Sequence, residues 1–321
     1  MAVSADPAVL QVLKLRAVFL GAIRRFFEER AFIEVETPSI VPSPGLDVHL
    51  EAFSVQGPKG EPVGWLATSP EYQMKRLLCA GAPRIFQLCR SYRAEEHGRH
   101  HEREFTVLEW YRANATSDDV IRDTEELVPF VATALAEKGD SPLFPGVNSS
   151  SGKRGLSPFS APWERLTVEE ALRFHANVEL ESLVEDEERF FRVWAVEVQP
   201  RLGAERPVIV TDWPASMASL ARLKPNGMAD RFEAFYLGVE LCNGFGELTD
   251  AEEQRRRFQR DQAERRATGA QVLPIDERFV ADLERGMPES SGNALGVDRL
   301  LMLLAGADSI QAVMPFPAER L

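Results

Sequence analysis

Cysteine is scarce. Three residues in 321, Cys79, Cys89 and Cys242, stand at wide and uneven spacings. That excludes a disulfide framework and a cysteine-based zinc knuckle, and it leaves the three thiols as expected small, buried hydrophobes. The chain also lacks any run of apolar residues long enough for a helical membrane span. Its opening stretch, MAVSADPAVLQVLKLRAVF, has no basic segment leading into an apolar one, so no export leader is evident. Base is in deficit, with 37 Lys and Arg against 50 Asp and Glu and a net charge of −13. A broad nucleic-acid-binding face needs clustered Lys and Arg, and the balance argues against one. What remains is a soluble, reducing, cytoplasmic setting. The 44% hydrophobic content is enough for a substantial core.

The average charge hides a local exception. Residues 84–103, RIFQLCRSYRAEEHGRHHER, hold Arg84, Arg90, Arg93, Arg99 and Arg103 together with three of the five histidines. A concentrated cationic site in an acidic protein points to a small polyanion, with a nucleoside triphosphate the obvious candidate.

Apolar residues at three- and four-residue steps predict a helix over 8–30. FIEVETPSIV reads as a strand running into Pro38, and Pro58, Gly60, Pro62 and Gly64 as a hairpin-like turn. SPEYQMKRLLCAG reads as a short helix capped by Ser69. IFQLCRSYR and REFTVLEWYRA are expected to be two strands joined by the polar loop EEHGRHHE. Half of residues 138–165 are Gly, Pro or Ser, the composition of a surface excursion. Beyond it, helices are expected near 167–176 and 185–199, then a strand, VIVTDW. Residues 231–249 read as a two-part strand turning at Asn243-Gly244, AEEQRRRFQRDQAERRA as a solvated helix, and SGNALGVDRLLMLLAG as a strand or turn entering a helix. Trp163, Trp194 and Trp213 read as packing residues. No internal repeat is seen.

Three patterns bear on chemistry. Arg93 and Phe105 fall where antiparallel strands could face one pocket, a guanidinium for phosphate and a ring for a base; alone, a charged hairpin explains them as well. Glu233, Glu240 and Glu247 recur every seven residues, which keeps one face on a helix but flips faces on a continuous strand. Carboxylates gathered near a triphosphate are natural Mg²⁺ ligands, and one set further in could hold an ammonium. Gly292–Arg299 opens the last helix with small residues that admit a close ligand and an arginine in its first turn.

Taken together and in order, these segments resemble the catalytic core of class II aminoacyl-tRNA synthetases of the lysyl type. FIEVETP, FQLCRSYRAEE…REFTVLEWY and GVDRLLMLLAG carry the class resemblance. TSPEYQMKRL, ELCNGFGEL and the Glu-Trp-Tyr at 109–111 carry the lysine type. The likeness spans most of residues 10–321, weakens over 166–207 and is absent from the Gly/Pro/Ser excursion. It implies an α+β fold, a mainly antiparallel six-stranded sheet flanked by helices, in one catalytic domain over 1–321. The first core motif arrives by Pro38, too early for an anticodon-binding barrel before it. The chain therefore looks like the branch without that barrel, which modifies elongation factor P instead of tRNA. That implies ATP and Mg²⁺, lysine or (R)-β-lysine as substrate, elongation factor P as acceptor, a homodimer, and no stable tRNA binding.

Residue by residue, the resemblance implies that Arg93 and Arg299 act on the triphosphate as the catalytic cations. Ala94, Glu95, His101, Glu102, Phe105, Glu240, Leu241 and Gly296 would complete the ATP site. Glu233 and Glu240 would hold Mg²⁺. Glu247 with Tyr111 would receive the distal ammonium of the substrate, Glu71 with Ser69 and Pro70 the nearer amine, and Asn243 the carboxylate. Ala94 and Glu102 depart from the asparagines usual in the family. Ala294 stands where lysyl-tRNA synthetases carry Gly, and its methyl group would displace an α-amine while suiting one a carbon further along. The alternatives are a truncated enzyme that charges tRNA or another acceptor, and a non-catalytic amino-acid or nucleotide sensor. Cations and metal carboxylates both kept intact weigh against the sensor.

Overall fold

Helix α1 (Pro7–Glu28) lays one stripe, Leu15, Phe19, Ile23 and Phe26, into the core, as its three- and four-residue steps require. The computed structural model describes residues 7–137, 158–160 and 162–320. After α1 come β1 (Ile33–Glu34), β2 (Ile40–Val41), β3 (Ser54–Gln56), β4 (Pro62–Leu66) and α2 (Glu71–Cys79). The hairpin expected around Pro58 and Gly60 is β3–β4. Pro70, not Ser69, occupies the N-cap position of α2 and makes no side-chain bond there, while Ser69 Oγ accepts the Glu71 N–H at 3.1 Å. The pair β5 (Arg84–Tyr92) and β6 (Glu104–Ala113) is antiparallel, and α3 (Ser117–Glu137) follows.

The second half runs β7 (Glu164–Thr167), α4 (Val168–Ala176), α5 (Glu187–Val193), β8 (Val208–Trp213), β9 (Ala229–Tyr236) and β10 (Val239–Gly246). It ends with α6 (Ala251–Thr268), α7 (Glu277–Arg285), β11 (Ser290–Gly296) and α8 (Val297–Leu304). A capping box of Thr167 and Glu170 opens α4, and Asp250 and Asp276 cap α6 and α7.

The α+β class is as expected, but the main sheet has eight strands among the described residues, not six, in the order β1-β5-β6-β11-β10-β9-β8-β7. The six central strands are antiparallel throughout. The two additions are the edges, each paired parallel to its neighbour. Both are too short to show a period: β1 has two residues, and β7 begins inside the expected excursion. Of that excursion, residues 138–157 and 161 lie outside the described residues. FIEVETPSIV divides between two sheets, β1 in the large one and β2 in a small one with β4 and β3. No described helix is long and apolar enough to cross a membrane.

One face of the sheet is apolar. Phe27 of α1 stacks on Phe86 at 4.8 Å and tilts against Trp110 at 5.4 Å, and all three rings are fully buried. Each such ring contributes roughly 2–3 kcal/mol of burial. Trp163, Trp194 and Trp213 are packing residues as expected, and so is Cys242, but Cys79 and Cys89 are only half-buried. Helix α6 is not simply solvated. Its Arg265 is fully buried and donates to the carbonyls of Asp47, Val48 and Leu50 at 2.8–3.2 Å, with Glu51 at 2.7 Å.

A buried ion pair ties the ends of the chain together. Arg16 on α1 meets Asp298 on α8 at 2.6 Å, and Asp298 accepts the Thr106 N–H of β6 at 2.7 Å. Replacing Arg16→Met leaves Asp298 buried without its cation, and the expected loss of unfolding free energy is about 3–5 kcal/mol by denaturant titration.

Candidate active site

On the other face, every second residue of four adjacent strands points into one cavity of about 380 Å³. β6 supplies Phe105, Val107 and Glu109; β11, Ala294 and Gly296; β10, Asn243 and Phe245; β9, Arg231 and Glu233. The register sets Glu109, Ala294, Asn243 and Glu233 opposite one another in a single row. Their neighbours Leu108, Leu295, Cys242, Phe232 and Ala234 go to the apolar core.

The seven-residue glutamate pattern is resolved by two irregularities. The turn lies at Leu237-Gly238, where both residues have positive φ (51° and 75°), and not at Asn243-Gly244, which sits inside β10. A register shift between Glu240 and Cys242 then brings Glu240 and Asn243 to the same face. Gly244 is required there because a Cβ would lie 2.3 Å from the Phe232 ring.

Cations gather at one end. Arg93 follows β5, with its guanidinium 5.1 Å from the Phe105 ring and 2.7 Å from Glu96. Arg299, in the first turn of α8, donates to the carbonyls of His100 and Glu240 at 3.1 and 3.2 Å and lies 3.5 Å from the Glu240 carboxylate. Its second Nη is 2.6 Å from His101 Nε2. Burial and the Arg299 charge push His101 below its ordinary value, so its neutral ring accepts this bond. Arg231 lies away from this end, in the row of Phe245, Gly292 and Tyr111, and meets Glu233 at 2.5 Å. Burial lifts Glu233 to about 7, with Arg231 opposing and Glu240 reinforcing.

Carboxylates gather at the other end. Glu109 is buried on the cavity wall and accepts the Tyr111 hydroxyl at 2.8 Å. Burial and the nearby Glu71 raise it to about 8. Behind it Glu247 is fully buried and raised to about 7, chiefly by burial. Lys75 lies between Glu71 and Glu247, 2.5 Å from each. Burial alone would push the Lys75 ammonium down, but Glu247 and Glu71 carry it above its ordinary value. Asn243 Oδ1 and Glu247 Oε1 are buried at this end with no hydrogen-bond partner, and Glu247 Oε2 has only the Lys75 ammonium. Gly292 leaves the space: a Cβ there would strike the Tyr111 ring at 2.2 Å and Glu247 Oε1 at 2.8 Å.

Of the sequence-predicted residues, the cavity wall gathers Ser69, Glu71, Arg93, His101, Glu102, Phe105, Glu233, Glu240, Leu241, Asn243, Ala294, Gly296 and Arg299. Pro70, Ala94, Glu95, Tyr111 and Glu247 are not on the wall. Glu95 is exposed, Ala94 gives its N–H to the Glu51 carbonyl, and Tyr111 and Glu247 form a layer behind Glu109. Sequence reasoning gave no role to Lys75, Glu96, Glu109 or Arg231. Each stands two to four residues from a named site residue on the same strand, helix or loop, a spacing that could have found it. Among the described residues no group of three or more His, Cys, Asp or Glu could hold a metal alone. The pair Glu233 and Glu240 suits Mg²⁺ only as that ion is usually held, by one or two carboxylates with phosphate oxygens.

The model of the class II tRNA synthetases (D, K and N) matches residues 2–320. The elongation factor P–(R)-β-lysine ligase of Edwardsiella ictaluri is 43% identical, with 97% of this chain and 96% of that protein aligned. The proteins of the same name from Sodalis glossinidius and Avibacterium paragallinarum are each 41% identical, over 95% and 97% of this chain and 94% and 97% of their own lengths.

Raised carboxyl values set a direction for pH. With Glu247 near 7 and Glu109 near 8, the acidic end holds protons that a diammonium guest must displace. Affinity for such a guest is expected to rise as pH climbs through about 7 to about 8, with proton release on binding below that range, read by calorimetry in buffers of different ionisation enthalpy. The same shifts run against folding stability. Their contribution is full below the ordinary carboxyl value of 4.5 and falls away as pH rises through about 7 to about 8.

Proposed function

Because this chain belongs to the class II tRNA synthetases of the D, K and N type, we propose that it is a ligase that activates (R)-β-lysine with ATP and transfers it to a lysine side chain of elongation factor P. One observation carries the reading: a single cavity with arginines at one end and an acidic end at the other. A triphosphate and a doubly charged amine need opposite fields, and a shared cavity brings their reacting atoms together.

In the first step the substrate carboxylate attacks the α-phosphorus in line, forming an aminoacyl-adenylate and expelling pyrophosphate. Arg93 and Arg299 offset the charge that develops on the phosphoryl oxygens. Phe105 offers its ring to the base, with Arg299 on the other side, and Gly296 and Leu241 complete the wall. Glu233 and Glu240 would hold Mg²⁺, which neutralises phosphate charge when bound. At the acidic end, Glu109 with the Tyr111 hydroxyl and Glu247 behind it receives the distal ammonium. Glu71 and Ser69 hold the nearer amine, and the Asn243 side-chain amide steadies the carboxylate. Each buried ammonium needs such a partner to offset lost hydration. In the second step the ε-amine of the acceptor lysine attacks the activated carbonyl, loses a proton and displaces AMP. No covalent enzyme intermediate is required.

Ala294 sits in register between Glu109 and Asn243. Its methyl group narrows the floor where an α-amine would lie and favours an amine one carbon further along. Leu10 and Leu13 on α1 and Ile33 on the adjoining β1 are about half exposed, which supports a homodimer through this face.

Pyrophosphate exchange is expected with (R)-β-lysine in preference to L-α-lysine, and the protein acceptor should gain the mass of one lysyl residue. Acylation of tRNA in place of the protein factor would move the acceptor assignment to tRNA, and no exchange with either isomer would remove the activity altogether. Arg299→Ala is expected to lower exchange by about 10²–10³-fold. Ala294→Gly should shift preference towards L-α-lysine, measured as the ratio of kcat/KM values.

A further inference from the structure

Lys75 is a buried charge at the edge of the site to which the activation chemistry assigns no task. It is 1% exposed, on the inward face of α2, with its ammonium 2.5 Å from both Glu71 and Glu247. The Phe245 ring lies 5.9 Å away. Glu71 reaches the cavity wall, whereas Glu247 lies behind it, so Lys75 bridges the wall to the layer that supports it. A lysine with all its solvent removed is expensive, and an apolar residue of similar length would fill the same space at less cost.

We propose that Lys75 is a positioning residue for the diamino acid: its ammonium clamps Glu71 and Glu247 in place and offsets one of the three negative charges at the acidic end. With Glu71, Glu109 and Glu247 ionised, Lys75 leaves a surplus of two, the number of ammonium groups the substrate brings. Without it, three carboxylates at close range would take up protons instead of holding substrate. It also makes the site reject a monoamino acid, which would leave one carboxylate uncompensated.

The groups facing this cluster come from several elements. Glu71 shares α2, Glu109 and Tyr111 face it from β6, Glu247 follows β10, and Arg222 from the segment before β9 adds a weaker positive field. Glu109 and Glu247 already titrate high, near 8 and near 7, with Lys75 opposing the rise in both. Removing that opposition moves both further up.

The inference rests on the proposed activation of a diamino acid, and the experiment separates the two. Exchange by the wild-type enzyme with (R)-β-lysine comes first; its absence overturns the functional reading itself. Lys75→Met and Lys75→Gln are then compared with wild type in thermal unfolding and in exchange. Lys75→Gln keeps hydrogen-bond donors without the charge and covers the case in which the apolar variant fails to fold. The expected result is a KM for (R)-β-lysine raised roughly ten- to hundredfold. The KM for ATP stays within about twofold, the expectation for a site with no shared partner. The pH at which amino-acid KM is lowest moves upward, and Lys75→Arg restores part of the loss. A folded Lys75→Gln enzyme with wild-type amino-acid KM and pH profile, or one in which both KM values rise together, overturns the positioning role.

Discussion

The pleat of the six antiparallel strands is the constraint on which the molecule depends. Successive side chains must point to opposite faces, so one set of strands supplies both the core and the cavity wall. Leu108 and Trp110 anchor β6 in the apolar layer, and Phe105, Val107 and Glu109 of the same strand face the cavity. A slip of one residue would exchange the two sets and bury Glu109 among phenylalanines. The apolar packing under α1 thus holds the register that holds the chemistry. Asp298 extends the same logic to Arg299. Its buried carboxylate, tied to Arg16 and to the Thr106 N–H, sets the first turn of α8 against β6.

The charges in the cavity are already partnered before any guest arrives. Arg93 has Glu96, Arg231 has Glu233, Arg299 has Glu240 and His101, and Lys75 has Glu71 and Glu247. Buried charges persist only under this condition. Binding therefore proceeds by exchange of partners. A phosphate can take Arg93 from Glu96, and an ammonium can meet Glu109 on the wall while Lys75 stays with Glu247 behind it. Arginine positions held by protein carboxylates in this way need little rearrangement when a polyanion replaces them.

Much of this was legible in the chain. The helix with one apolar stripe, the β5–β6 pair around a polar loop, the Gly-rich strand entering α8 and the cationic cluster at 84–103 all carry local patterns. What escaped reading is non-local. The Asn243-Gly244 dipeptide favours positive φ and reads as the turn, yet the chain turns at Leu237-Gly238. Asn243 and Gly244 are instead spent on the cavity and on clearance for the Phe232 ring. Helix α6 reads as solvated because its composition is polar, and nothing local shows that Arg265 is wrapped in the carbonyls of residues 47–50. The two edge strands are too short to have a period. Glu109 hides inside an apolar strand, where its function shows only once the register places it opposite Ala294.

The layout of the cavity also accounts for the order of charge along β6. Phe105 lies at the cationic end and Glu109 at the acidic end, four residues apart, which is about 13 Å at the rise of a strand. That span separates the two fields enough that the arginines do not neutralise the carboxylates across the cavity. It is also short enough for the proposed diamino acid to reach from the arginines to Glu109. Across the strands, the row that runs from Glu109 to Glu233 has groups without net charge at its centre, Ala294 and Asn243. Both of its ends are carboxylates, so the opposed fields are set along β6 and not along this row, and a charged side chain at its centre would pair with one of the two glutamates.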